Sequence, residues 1–280
     1  MSIKILKISV CLLCSATGSL FAQNILFVGN SFTYKSKSPD ASVVSDLNGG
    51  KMGGIPAIIH AMASESGVTG FEISMECVGG QTLSWHYAKK RELIDKPWDV
   101  VVLQDYSTRT LTTPTSGKGS NVPAFKKAVD DLCSMMRAKN PDAEMILYET
   151  WARPNMVKTG TFSNLEAMQS EIRTAYKQAA QDFNAAYAPV GDAFVAAVEA
   201  GYADDPSTEA KEGPHSLWAG DHYHQSNYGS FLSAAVFYAR IFERDPRELS
   251  TGEDSVAAQL NLDPKIAQSL LNLAYQLTQS

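Results

Sequence analysis

The sequence predicts an α/β protein, a three-layer α/β/α sandwich around a parallel sheet of five strands. Short runs rich in Val and Ile alternate with longer segments of helical period, the pattern of successive βαβ units. The 280 residues are 44% apolar and 19% charged, ample for one sizeable core and short for two. Several unusual residues also fall just past the ends of the apolar runs, and in a parallel sheet those ends share one edge.

The first 22 residues stand apart from this pattern. Lys4 and Lys7 precede an apolar stretch from Ile8 to Leu13, and Ser19-Leu20-Phe21-Ala22 offers a small residue for cleavage before Gln23. The segment reads as a secretory signal peptide, too short and too broken by Ser and Gly to span a bilayer comfortably. Cys14 follows Leu12-Leu13, where lipid attachment would need a small residue directly before the cysteine, so a lipoprotein anchor ranks below a cleaved leader. Residues 23–280 are read as a single domain, secreted or periplasmic.

Within that domain strands are expected at 25–28, 71–76, 100–103, 145–148 and 187–190. Helices are expected at 55–66, 83–94, 122–138, 165–183, 193–200, 225–242 and 264–279. Right-handed crossovers would cover both faces of the sheet, an arrangement of flavodoxin-like type. The connections 34–54, 108–121 and 202–220 are too long for simple turns. The first two follow the first and third strands and so rise from one edge.

Loss of residues 1–22 removes Lys4, Lys7 and no acid, taking the formal charge from −6 to −8. That acidity, without a basic run or aromatic-basic interleaving, argues against nucleic acid or an anionic membrane as partner. Cys11 and Cys14 leave with the leader. Cys77 and Cys133 remain, and the sequence leaves open whether they pair or stay as separate buried thiols. Phosphate-loop and dinucleotide fingerprints are absent, as are a Gly-x-Ser-x-Gly elbow and a His-Glu-x-x-His pair, so no metal or organic cofactor is expected. His60 and His86 read as surface or core histidines.

The chemistry concentrates at the two ends of the mature chain. Ile25-Leu26-Phe27-Val28 runs into Gly29-Asn30-Ser31-Phe32-Thr33, which sets Ser31 on a tight turn at the carboxyl edge of the sheet. A serine hydroxyl needs a base and a group to orient that base. Asp221-His222-Tyr223-His224, just before a helix, supplies both: Asp221 can hold His224 by Nδ1 while Nε2 faces Ser31. His222 is the rival base, and with Asp221 and His224 a weaker candidate metal ligand. Gly79-Gly80, Gln104-Asp105 and Glu149-Thr150-Trp151 follow the second, third and fourth strands. Backbone N–H groups of Ser31 and of Gly79 or Gly80, with the Gln104 amide, are candidate oxyanion donors. Asn30, Asp105, Tyr106 and Trp151 are candidate substrate contacts, with Trp151, Tyr106 and Trp218 as a sugar-stacking wall.

These residues resemble the SGNH/GDSL hydrolase superfamily, lipase- and esterase-like enzymes named for Ser, Gly, Asn and His in separate blocks. The usual Gly-Asp-Ser appears as Gly29-Asn30-Ser31, similar to a branch carrying Gly-Asn-Ser-Phe-Thr, and the last block appears as Asp221 to His224. The resemblance implies Ser31 as nucleophile, His224 as base, Asp221 as its orienting acid and Gly79 or Gly80 as the oxyanion glycine. It departs at the third block: Gly-x-Asn-Asp is replaced by Leu103-Gln104-Asp105, where Gln104 carries the same amide and a strict alignment brings Thr108 nearer the slot. The expected activity is hydrolysis of small acyl esters, O-acetyl groups on carbohydrate above all. A catalytically idle glycan-binding module and a lipase or lysophospholipase are the alternatives.

Overall fold

The computed structural model describes residues 23–208 and 215–279; the leader, with Cys11 and Cys14, lies outside the described residues. In chain order the elements are β1 (Gln23–Gly29), α1 (Ser31–Tyr34), β2 (Val44–Asp46), α2 (Gly54–Glu65), β3 (Phe71–Cys77), α3 (Leu83–Lys89), α4 (Arg91–Ile94) and β4 (Val100–Leu103). There follow α5 (Val122–Lys139), β5 (Glu144–Tyr148), α6 (Pro154–Lys158), α7 (Leu165–Asp182), β6 (Ala186–Ala188), α8 (Val190–Glu199), α9 (Asn227–Phe242), α10 (Val256–Gln259) and α11 (Pro264–Thr278).

The sheet is parallel throughout, in the order β2-β3-β1-β4-β5-β6. It has six strands where the sequence predicted five. The extra strand, β2, is three residues long inside the 34–54 connection and pairs only with β3, so no period of two could reveal it. Without β2 the order is the flavodoxin-like one. Two boundaries also differ. β6 stops at Ala188 because Pro189 has no N–H for the ladder, and α8 begins directly after it. The helix expected over 83–94 breaks at Lys90, whose φ of −124° and ψ of 8° leave the helical well.

β1 lies in the middle, paired with β3 on one side and β4 on the other, and is buried from Ile25 to Gly29. Such double burial is what a continuous apolar run encodes in a parallel sheet. α2, α8 and α11 pack against α9, and α8 packs against α11. α9 is buried along nearly its whole circumference, as a helix surrounded by other helices must be. α3 and α7 pack against α5, whose buried Phe125, Val129, Leu132 and Met136 recur at helical spacing. Asn121, Asn164, Ser226 and Asp263 cap the helices that follow them.

Register then decides what meets at the carboxyl edge. Gly29 is level with Cys77, Val28 with Leu103, and Leu103 with Leu147. The segments that leave β1, β3, β4 and β5 therefore emerge at one height. Cys77 on β3 and Cys133 on α5 are free thiols, and burial pushes the Cys133 thiol up to about 11.

The start of α2 is fitted closely against the turn that follows β1. Gly54 has a left-handed φ of +56°, and a Cβ there would lie 2.4 Å from Tyr34 Cα and 2.5 Å from the Thr33 carbonyl oxygen. Gly54→Ala is expected to lower the unfolding free energy by about 1–3 kcal/mol through backbone strain and this overlap. Gly67→Ala is the comparison, because Gly67 is also left-handed (φ +76°) but has nothing within 4 Å of its Cβ site. Urea titrations followed by circular dichroism should rank Gly54→Ala as the more damaging; equal losses would refute the packing argument.

Candidate active site

The turn that carries Ser31, the candidate nucleophile, is built by a buried cap. Asn30 is extended (φ −138°, ψ −154°) and its Oδ1 accepts the Phe32 N–H at 3.1 Å, which starts the single turn of α1 at Ser31. As the first helical residue, Ser31 has an N–H without an acceptor inside that turn. Its side chain lies against the 221–224 turn. His224 Nε2 is 2.9 Å from Ser31 Oγ, and His224 Nδ1 is 2.7 Å from Asp221 Oδ2.

The second carboxylate oxygen of Asp221 closes its own turn, accepting the N–H groups of Tyr223 at 3.0 Å and His224 at 2.9 Å. Burial works to raise the Asp221 carboxyl, but the His224 ring and the two N–H donors outweigh it and hold the group below its ordinary value. The acid is thus ionised and fixed in place while it orients the imidazole. Phe32 and Tyr223 meet the His224 ring at steep interplanar angles. Ser31, His224 and Asp221 are therefore brought together from opposite ends of the chain. His222 is not part of this line: it has φ +52° and its Nε2 lies 3.1 Å from Lys158 Nζ.

Lys35 was missed by the sequence reading. Its Nζ lies 3.2 Å from His224 Nδ1 and 3.9 Å from Asp221 Oδ2. An ammonium cannot donate to a nitrogen that is itself protonated, so with Nδ1–H directed at Asp221 the Lys35 charge serves the carboxylate. Only its place one turn after Ser31 could have signalled this.

Four candidate residues take roles other than those expected. Gln104, expected as an oxyanion donor, is buried and braces the turn that carries Ser31. Its Oε1 accepts from Asn30 N at 2.9 Å and Thr33 Oγ1 at 3.1 Å, and its Nε2 donates to the Asp105 carbonyl. Thr108 is buried, and its carbonyl accepts the Ser120 N–H at the base of the 108–121 loop. Asp105, expected to touch substrate, is buried and accepts the N–H groups of Leu83 at 3.0 Å and Tyr106 at 2.6 Å. Asn30 is likewise buried, and its Nδ2 reaches the Gln81 carbonyl at 3.0 Å.

Trp151 is 0% exposed, stacked between Phe32 and Phe194 at centroid separations of 4.3 and 4.7 Å. Trp218 is buried too and donates to the Ala152 carbonyl at 3.1 Å. Neither ring is available as a sugar-stacking wall, because both indoles fill the core under the site. Tyr106 alone of that wall stays half-buried, and it lines a surface cavity.

Gly79 and Gly80 stand on a turn closed by Gln81 N–H to the Val78 carbonyl, while Val78 N–H bonds the Gly29 carbonyl. They are glycines for different reasons. Gly80 is left-handed (φ +68°), whereas a Cβ on Gly79 would lie 2.8 Å from the Tyr34 hydroxyl. Asn30 Nδ2 ties this turn to the one that bears Ser31. Among the described residues, no group of three or more His, Cys, Asp or Glu side chains is placed to hold a metal ion.

No family model matches the chain, and no curated protein does. Solved structures do. The chain is similar to a DUF4886 family protein from Bacteroides uniformis at 16% identity and a TM-score of 0.63, over 91% of this chain and 94% of that one. It is similar to Axe2, an acetylxylan esterase from Geobacillus stearothermophilus, at 18% identity and a TM-score of 0.56, over 79% and 94%. A presumed SGNH hydrolase from Slackia heliotrinireducens matches at 23% identity and a TM-score of 0.52, over 79% and 99%. At these identities the likeness is one of fold, and the fold is that of the SGNH hydrolases.

The buried Asp105 carboxyl gives the site a pH signature. Burial raises it from 3.8 to about 6, against the opposing bonds from Tyr106 and Leu83, and its Oδ2 is buried without a partner. A raised carboxyl favours the fold while protonated, so this contribution is intact below about pH 4 and is lost as pH rises to about 6. Asp105→Asn should therefore be more stable than wild type at pH 8, by about 2–3 kcal/mol at 1.36 kcal/mol per pKa unit, and gain nothing at pH 4. Urea midpoints at the two pH values check this; a gain independent of pH would refute it.

Proposed function

We propose that this chain is an exported serine esterase of the SGNH/GDSL hydrolase superfamily, acting on small acyl esters, O-acetyl groups on carbohydrate in particular. The observation that carries the reading is the unbroken line from Asp221 through His224 to Ser31, with both contacts at hydrogen-bond length. In this mechanism Ser31 Oγ attacks the ester carbonyl while His224 Nε2 takes its proton, and the Asp221 carboxylate stabilises the imidazolium that results. The N–H of Ser31 and one from the Gly79-Gly80 turn receive the negative oxygen. His224 returns the proton to the leaving alcohol, and water activated by the same imidazole releases the acid from the acyl-enzyme.

The preference for short acyl groups is supported by what surrounds Ser31. Phe32, the residue after Ser31, and Trp151, stacked on it, are sealed in the core, and among the described residues the only exposed large hydrophobic side chains are Met52 and Tyr202. A lipase would need a wide apolar groove for its acyl chain. The similarity to acetylxylan esterases supports carbohydrate as carrier of the ester. Export rests on the leader-like first 22 residues, and among the described residues no helix is long and apolar enough to cross a membrane.

The test is turnover of 4-nitrophenyl acetate, butyrate and octanoate by wild type, Ser31→Ala and His224→Ala. Each substitution should lower kcat by about 10⁴-fold or more, and the two losses should not add, because the groups act as one unit. The acetate should be the best substrate. Equal turnover by all three proteins would sink the triad, and a rise in kcat/KM with acyl length would favour the lipase.

A further inference from the structure

Arg153 follows β5 at the carboxyl edge and caps the start of α6. Its guanidinium carbon lies 4.1 Å from the centroid of the Tyr223 ring, which itself packs against the His224 ring at 4.3 Å. Nε donates to Asn155 Oδ1 at 3.3 Å and Nη1 to Ser107 Oγ at 3.4 Å, both long contacts to neutral groups. Arg91, Arg173 and Arg247 each pair with a carboxylate. Among the described residues none lies within ion-pair distance of Arg153; Asp221 acts on it only from further away. Burial depresses the basicity of this guanidinium, against a hydrogen bond with Tyr106 and the more distant Asp221 charge.

Arg153 lines a cavity of about 320 Å³, within the range of small-molecule sites. Thr108, Thr115, Ser116, Thr159 and Thr161 line it together with Tyr106, so the wall is rich in hydroxyl groups and carries one fixed positive charge. Three lysines stand around the same edge. Lys35 lies on the Asp221–His224 pair, Lys158 beside His222, and Lys118 on the Gly80 carbonyl and the Gln81 amide oxygen. In a chain of net charge −6 this is a local reversal of sign, of the kind that draws anions to a cleft.

We propose that Arg153 anchors a carboxylate carried by the substrate, and that the ester cleaved at Ser31 sits on a uronic-acid-containing glycan. The sugar occupies the hydroxyl-lined cavity, its carboxylate takes the free N–H edge of the guanidinium, and its acylated hydroxyl reaches Ser31 past Tyr223. A planar guanidinium accepts a carboxylate through two parallel N–H bonds, which a lysine could not reproduce. The assignment of the ester to Ser31 rests on the esterase reading; the anion site does not.

The experiment pairs binding with kinetics. Calorimetric titration of the wild-type chain with sodium glucuronate and with glucose at low ionic strength reads the site without any turnover. Glucuronate should bind about 10-fold tighter or more, and this ratio should fall to near one in Arg153→Gln, with Arg153→Lys between them. Added salt should weaken glucuronate and leave glucose alone. In parallel, kcat/KM for O-acetylated glucuronic acid over O-acetylated glucose should follow the same ratio. If Arg153→Gln does not fold by circular dichroism, the wild-type ratio and its salt dependence decide the matter.

Glucuronate binding no tighter than glucose overturns the proposal, even if both acetylated sugars are hydrolysed. An Arg153-dependent preference for 4-nitrophenyl hemisuccinate, without one for acetylated glucuronic acid, places the carboxylate on the acyl group and overturns the uronic-acid assignment. Arg153-dependent glucuronate binding by a chain that cleaves no ester leaves the anion site standing and removes the esterase.

Discussion

One buried amide holds the catalytic edge together. Gln104 Oε1 takes the Asn30 N–H and the Thr33 hydroxyl, so the end of β4 grips both sides of the turn that presents Ser31. Asn30 in turn reaches across to the Gln81 carbonyl beyond β3. Three strand ends are thereby fastened through two side-chain amides, all within a region where an unpaired polar group would cost about 1–3 kcal/mol. The strain and cost of ordering this turn are met in the fold itself, before any substrate arrives. That is the condition under which a serine turn can act with little reorganisation.

The His224 end is fastened to the same turn by packing. Phe32, the residue after the nucleophile, stacks on Trp151, and Trp151 stacks on Phe194 of α8. Trp151 Nε1 donates to the Tyr223 carbonyl at 3.1 Å, and Gln225 Nε2 donates to the Phe32 carbonyl at 3.2 Å. The turn that carries His224 is thus hung from the same aromatic column that supports the Ser31 turn. Rings at these separations give both area burial and favourable stacking, and a well-packed column transmits position because it does not compress. The separation of Ser31 and His224 in sequence is bridged by core packing rather than by the loops that carry them.

Much of this was legible in the sequence, and the limits have physical causes. The strands declared themselves because burial on both faces demands continuous apolar runs, and the meeting of Ser31 with the Asp221-x-x-His224 turn could be anticipated because a proton relay restricts residue type and local spacing. β2 was invisible because three residues on a sheet edge impose no period. The roles of Gln104, Asp105 and Trp151 were misjudged for a shared reason. All three lie at the right edge, but sequence position fixes the height of a residue in a parallel sheet and says little about whether its side chain turns up toward solvent or down into the core. Trp151 and Gln104 turn inward. Lys35 and Arg153 escaped notice because a lone cation on a loop is ordinarily a solvated surface group, and only tertiary structure brings each against a ring or a carboxylate.

The distribution of satisfied and unsatisfied groups separates support from function. Asn30, Gln104, Glu149 and Gln169 are buried polar side chains at this edge, and each has its hydrogen bonds supplied by the protein. These bonds are made within the protein and brace the edge. Two donors keep capacity left over: the Ser31 N–H at the head of its turn, and the Arg153 guanidinium against Tyr223 with no carboxylate opposite it. Binding energy is available only where desolvation has been imposed without full compensation. On the proposed reading, those two donors concentrate recognition on an oxyanion at one point and an anion at another. The span between them, crossed by the Tyr223 and His224 rings, sets the length a substrate must have to engage both.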